Sequence, residues 1–198
     1  GIQYSVGEYW DGVGNIKNWI NNTGKKSGAF DFQFHYNMTD AIRSNNWTKL
    51  SNSSLMSDPS YRQYAITFVE NHDIQVREDN SNEGSKDPIP TAYIPAANAV
   101  VLAMPGTPCI VQPDGKAYGH EVKSMREARK VVGITNTSDY TNYANNKQYF
   151  ANAVNGTNGL KLFVVVGIPS MMTTPSKTEY TRILSGKNYM YYLSNNSE

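Results

Sequence analysis

The feature that most constrains this chain is a change of rhythm near Thr135. Before it, short apolar stretches at residues 2–6, 29–34, 61–69 and 106–111 alternate with segments of helical spacing. Ile16, Trp19 and Ile20 recur on one helical face, residues 38–50 and 92–104 read as helices, and residues 121–132 form an amphipathic helix closed by Gly133. Pro95 fits the first turn of the third of these. Strand followed by helix, four times over, predicts a parallel sheet, because parallel neighbours need long crossovers and helices supply them. After Thr135 the helical period disappears. Residues 135–147 read as a loop, and short strands follow at 149–154, 160–166, 180–184 and 189–193, separated by Asn-Gly, Gly-Ile-Pro and Ser-Gly turns. The expected architecture is α/β over residues 1–134, then a small antiparallel β domain over 145–198, which need not be complete.

Charge and cysteine content narrow the function. A formal net charge of +1 gives no field that would gather nucleic acid or an anionic membrane. No apolar run approaches the roughly 20 residues of a membrane helix. Cys109 is the only cysteine, so no internal disulfide forms, and its apolar setting in MPGTPCIV predicts a buried small hydrophobe rather than a nucleophile. Neutral polar side chains and 12% aromatics suit a neutral, hydroxyl-rich ligand such as a sugar.

The residues that could carry chemistry follow expected strands. Glu8 stands in VGEYW after the first, Asn71-His72-Asp73 after the third, and Gly106-Thr107-Pro108 opens the fourth. In a βα barrel the loops after the strands build the active site. Two carboxylates on that face are the raw material for glycosidic cleavage, one donating a proton to the leaving oxygen and one staying ionised beside developing positive charge. Each also has a plain alternative. Glu8 could be a solvated loop residue, and His72 with Asp73 could be only a turn. Trp10 could pack rather than stack on a sugar, and Asp31 in FDF could satisfy a backbone donor. His35 and His120 read as surface or capping residues. No pair of ligands has zinc-like spacing, so no metal site is expected within these residues.

VGEYWDG at 6–12, FDFQF at 30–34, FVENHD at 68–73 and GTPCIV at 106–111, taken together, resemble the alpha-amylase family of glycoside hydrolases. Their order and spacing are similar to strands five to eight of that family's (β/α)₈ TIM-type barrel, with the trailing residues similar to its C-terminal β domain. The resemblance implies that Glu8 is the general acid/base and Asp73 the carboxylate that stabilises the transition state. It further implies that His72 hydrogen-bonds the sugar, that Tyr9 and Trp10 contact it, and that Asn71 supports the signature structurally.

The same resemblance sets the remaining expectations. The family's first four strands, with its nucleophilic aspartate and most calcium ligands, have no counterpart in these residues. The expected function is therefore that of a fragment of a retaining hydrolase of α-1,4-glucans, inactive on its own. No cofactor is expected within this chain, and calcium belongs to the full-length enzyme. An extracellular or periplasmic location is implied. The expected partners are an α-glucan and either the missing barrel half or a second copy, because a half barrel would uncover side chains such as Phe30, Phe32, Phe34, Ile66 and Phe68. The alternative is a non-catalytic truncated product or a weak glucan-binding module.

Overall fold

The computed structural model describes residues 5–76 and 89–195. The first residues of the expected first strand, and most of the loop expected over 74–90, lie outside them.

The first part builds the expected parallel sheet. Strands β1 (Ser5–Gly7), β2 (Ser27–Phe30), β3 (Ala65–Phe68) and β4 (Thr107–Cys109) lie side by side in chain order. Their registers are parallel throughout, from Ser5 opposite Ser27 to Ile66 opposite Thr107. Helix α1 (Val13–Asn22) crosses from β1 to β2 and buries Ile16 and Ile20, as their spacing predicts. Helix α2 (Phe32–Ser44) crosses from β2 toward β3, helix α3 (His72–Val76) follows β3, and helix α4 (Ile94–Ala103) precedes β4. Two helices, α5 (Gln112–Ala117) and α6 (Gly119–Val132), come after β4. Gly133 ends α6 at φ 78°, a left-handed cap that glycine takes without strain.

Several expectations are corrected here. The stretch 29–34 is not one strand. β2 stops at Phe30, and Asp31 becomes the cap of α2, its carboxylate accepting from Phe34 N at 3.2 Å. The alternation F-D-F-Q-F mimics a strand, but Asp at a strand end is also a strong helix start, and Phe34, Met38, Ala41 and Ile42 then keep helical spacing. The helix read over 38–50 therefore begins earlier, and a separate 3₁₀ turn covers Trp47–Ser51. Residues 135–147 are not all loop, because strand β5 (Tyr140–Asn145) lies within them. Its residues are mostly exposed, so it carries no apolar alternation to betray it.

Strands β5, β6 (Tyr149–Asn155), β7 (Lys161–Gly167), β8 (Tyr180–Gly186) and β9 (Tyr189–Ser194) form the second, antiparallel sheet in the order β5-β6-β7-β9-β8. Its inner face is not a separate core. Phe150, Val154, Leu162, Val164, Val166, Tyr189 and Tyr191 join one buried cluster with α4, α6 and the parallel sheet. The Tyr191 hydroxyl donates to the Ala99 carbonyl in α4, and Asn152 Nδ2 donates to Met104 Sδ at 3.4 Å. Arg129 of α6 fastens the junction. Its guanidinium donates to the carbonyls of Leu102 (3.0 Å), Met104 (2.7 Å) and Gly106 (2.8 Å).

The side chains expected to lie uncovered do not. Phe32, Phe34, Ile66 and Phe68 are buried, and Phe30 is half-buried. Phe32 and Phe34 sit on α2 rather than on a strand. Phe68 is enclosed by His35, whose ring stacks on it at 5.2 Å, and by the edges of Phe30 and Phe32. The expectation for His35 fails for the same reason. It is buried, its Nδ1 lies 2.6 Å from the Val69 carbonyl, and burial pushes its pKa down to about 4 against that carbonyl's pull. Cys109 is half-buried rather than buried, and that burial pushes its thiol up, away from nucleophilic use.

Candidate active site

The parallel sheet delivers the candidate residues to one end. Glu8, Tyr9 and Trp10 follow β1 directly, and Asn71, His72 and Asp73 follow β3, so both groups emerge at the carboxyl ends of their strands. Gly7 makes the first turn possible. A Cβ there would stand 2.2 Å from the Trp19 ring, so only glycine lets the chain leave β1 against α1.

Two contacts tie the groups together. Asn71 Nδ2 lies 3.4 Å from Glu8 Oε1, a long hydrogen bond that bridges the two loops. Asn71 also accepts from Ile74 N at 2.8 Å through Oδ1, which caps the start of α3. One amide therefore anchors a helix and reaches the Glu8 carboxylate. His72 Nε2 stands 3.6 Å from Asp73 Oδ1, with the imidazole largely exposed. Among the described residues no printed contact joins Glu8 to Asp73, and Glu8 itself is exposed.

The aromatic neighbours divide. Trp10 is half-buried, stacks on Phe32 at 4.7 Å and 12°, and donates from Nε1 to Tyr36 Oη at 2.7 Å. One ring face and the indole N–H are thus taken up by packing, as its plain reading held. Tyr9 is partly exposed and lies 6.3 Å from the Trp19 ring. A hydrogen bond to the Asp11 carboxylate, and that carboxylate's charge, raise the pKa of its phenol.

Asp31 also follows a strand, but it is committed elsewhere. Its carboxylate is wholly buried and accepts from Phe34 N and from Met56 N at 2.8 Å. Burial raises it to about 6, against the backbone donors that favour the anion. Among the described residues no three His, Cys, Asp or Glu side chains gather to hold a metal ion, so they offer no oxygen cage of the kind calcium needs. Nor is any described helix long and apolar enough to cross a membrane.

Sequence reasoning missed the double role of Asn71 and the part played by Tyr36. The first had a signal, since Asn immediately before a helix is a cap candidate. Tyr36 had none, because its partner is 26 positions away.

No family model matches the chain. Curated relatives do. It is 28% identical over 153 residues to the alpha-amylase of Bacillus licheniformis, covering 69% of this chain and 28% of that one. It is 24% identical over 209 aligned positions to probable alpha-amylase 2 of Arabidopsis thaliana, covering 94% of this chain and 47% of that one. Its fold overlays on the alpha-amylase of Geobacillus thermoleovorans solved with acarbose, with a TM-score of 0.63 at 11% identity, over 98% of this chain and 53% of that one.

The chain belongs to the alpha-amylase family.

It spans less than half the length of these two curated relatives. The solved amylase shows the fold alone at that identity. The family's (β/α)₈ barrel is consistent with a four-stranded parallel sheet, and the trailing antiparallel sheet falls within the same overlay.

Proposed function

We propose that this amylase-family chain supplies the acid/base half of an α-1,4-glucan hydrolase, with β1 to β4 as strands five to eight of the barrel over residues 1–134. In this reading Glu8 protonates the departing glycosidic oxygen and later activates the water that releases the glycosyl-enzyme. Asp73 strengthens its interaction as positive charge develops at the anomeric carbon, so its effect falls on the barrier. His72 hydrogen-bonds the sugar, and Tyr9 flanks it. Trp10 contributes through Phe32 and Tyr36 as a wall more than as an open stacking surface. The nucleophilic carboxylate belongs to the half of the barrel contributed by the relatives' additional length.

The observation that carries the reading is the Asn71 bridge. It brings the GEYW loop and the ENHD loop, 63 positions apart, to one mouth at the carboxyl end of the sheet. The exposure of Glu8 points the same way. A general acid works in a site from which water is excluded, and this chain leaves the mouth open.

The test is substitution in the complete enzyme. Glu8→Gln keeps size and hydrogen-bonding capacity but delivers no proton, so kcat on starch should fall by about 10²–10⁴-fold with glucan binding retained. Asp73→Asn should also depress kcat, and His72→Ala should raise KM as well. Near-normal kcat in the Glu8→Gln enzyme removes Glu8 from the acid role and the proposal with it.

A further inference from the structure

The outer face of the antiparallel sheet holds a site that the barrel chemistry does not use. β6 and β7 are buried on both faces. Their outward side chains Ala151, Ala153, Phe163 and Val165 form a second small cluster with Tyr180 and Tyr192. Phe163 is its floor, and three tyrosines stand edge-on around it. Tyr143 lies at 5.1 Å and 68°, Tyr180 at 5.6 Å and 61°, and Tyr192 at 6.1 Å and 87°. Tyr143 sits where the β5–β6 register shifts between Asn142 and Ala144, and it remains 54% exposed. The bulge aims a large aromatic ring outward over an already filled floor.

Two cavities flank Tyr180. One of about 460 Å³ is lined by Tyr143, Lys161, Thr178, Glu179, Ser194 and Asn195, among others. The other, of about 420 Å³, continues on the side of Thr174, Thr181 and Arg182. Each falls in the size range of small-molecule sites, and Tyr180 is common to both. The rim is already ordered. Asn195 N donates to the Glu179 carbonyl at 2.7 Å, and its Nδ2 donates to the Thr178 carbonyl at 3.0 Å. Its Oδ1 accepts from Thr181 Oγ1 at 2.7 Å. Asn195 therefore locks the turn before β8 against the end of β9. Binding there does not incur the ordering of a loose loop.

We propose that this face is a second oligosaccharide-binding site, in which Tyr143 packs against a sugar ring and Lys161, Glu179 and Ser194 read its hydroxyls. The chemistry selects a neutral sugar. In the cavity beside Tyr143 the formal charges of Lys161 and Glu179 cancel. They leave a carboxylate to accept and an ammonium to donate, the pair of functions a vicinal diol needs. Ser194 Oγ accepts from Lys161 N at 2.8 Å, which turns its own proton to other partners. Burial, and then the neighbouring Tyr143 hydroxyl, push Tyr180 up to about 12, so its phenol stays a hydrogen-bonding group at any working pH. The ring edges and methyl groups present an apolar surface for the C–H faces of the sugar. The choice of an α-glucan as the sugar rests on the amylase reading above. The site itself rests on the sheet.

The experiment is calorimetric titration of the 198-residue chain with maltoheptaose. Saturable binding is expected. Tyr143→Ala should weaken it by about tenfold or more, as removal of a central aromatic anchor does, and Tyr143→Phe should stay within about twofold. Glu179→Gln should weaken it by several-fold, and it carries the test should Tyr143→Ala fail to fold. His72→Ala should leave it unchanged. Absence of binding, or binding lost in His72→Ala and kept in Tyr143→Ala, overturns the proposal, since the glucan would then sit at the barrel mouth or nowhere. Displacement of maltoheptaose by inorganic phosphate overturns the neutral ligand. So does a dimer in light scattering that Tyr143→Ala dissolves, because a second copy would then be the occupant. None of these readings depends on Glu8, whose failure as the acid would show only in kcat of the complete enzyme.

Discussion

The strands of the parallel sheet run to three or four residues each, while those of the antiparallel sheet run to six or seven. The short ones are held by what covers them. β3 is buried at every position, and the helices between strands do the covering. The long ones are held by one another, through continuous registers such as Tyr149–Gly167 to Asn155–Lys161. The difference assigns the two regions different uses. The parallel sheet ends in loops that gather residues from distant positions, but its outer strands β1 and β4 each have only one neighbour in the sheet. The antiparallel sheet offers a fixed face whose side chains are set by strand pairing alone. Chemistry at the first depends on what stands next to it. Binding at the second does not.

The largest expected effect tests that dependence. The 198-residue chain should release no reducing ends from starch. Removing one member of a catalytic unit costs orders of magnitude, and in our reading the nucleophile belongs to the other half of the barrel. Concentration-dependent release by the pure chain would break the contrast.

The free edges come next. β1 and β4 are open to pairing, and Val6 on β1 is substantially exposed. We expect the chain to be a dimer, a larger association or the partner of a complementary barrel half, measured by light scattering after size exclusion. With Phe32, Phe34, Ile66 and Phe68 buried, the drive comes from strand edges more than from an uncovered apolar layer. A monodisperse 22.1 kDa species would show that the short strands need no neighbour.

Arg129 asks whether the two regions fold as one. Arg129→Ala strips donors from three buried carbonyls at the junction of α4, α6 and β4. It should destabilise the chain by about 3 kcal/mol, at 1–3 kcal/mol for each buried group left unsatisfied. Urea unfolding followed by circular dichroism and by tyrosine fluorescence should shift together in a single transition. Arg129→Lys should not restore the midpoint, because an ammonium lacks the planar fork that reaches three carbonyls. Separate transitions for the two probes would mean that the shared core does not couple the sheets.

A finer test concerns acid. Asp31 is raised to about 6, so its contribution to stability is fully present below its ordinary 3.8 and is lost as pH rises through about 6. His35 is lowered to about 4, so its contribution is present above its ordinary 6.5 and is lost as pH falls toward 4. Each swing is worth ~3 kcal/mol, and between pH 4 and 6 they run in opposite directions. Asp31→Asn should therefore make Tm fall more steeply from pH 7 to 4 than in the unaltered chain. His35→Asn should make it fall less steeply. Equal slopes in all three would remove the opposition.

The smallest effect belongs to Lys17 and Asp58, a part-exposed pair at 2.6 Å that lowers the Asp58 pKa. Lys17→Met should change stability by less than about 1 kcal/mol in urea unfolding. A larger loss would mean that surface pairs, rather than the helices, hold the parallel region.

The sequence by itself determined the order of elements, the switch from parallel to antiparallel pairing, and the residues that leave the strands toward the site. Hydrophobic period and turn chemistry are local, and a chain records them directly. It recorded Glu8 and Asn71 as candidates for the same reason, each at the end of an apolar run. Tertiary structure decided the rest. Asp31 ended a strand instead of extending it because Met56 N and Phe34 N needed its carboxylate. His35 went inside because Phe68 offered a ring to stack on and Val69 a carbonyl. β5 became a strand because β6 was there to pair with it, although its own side chains are mostly exposed. The Trp10 ring turned to Phe32 and Tyr36, and Tyr143 turned outward over Phe163. Each of these outcomes depends on a partner dozens of positions away or on the next strand. Which distant group arrives to satisfy a polar atom or cover a ring is settled only when the chain has closed around its core.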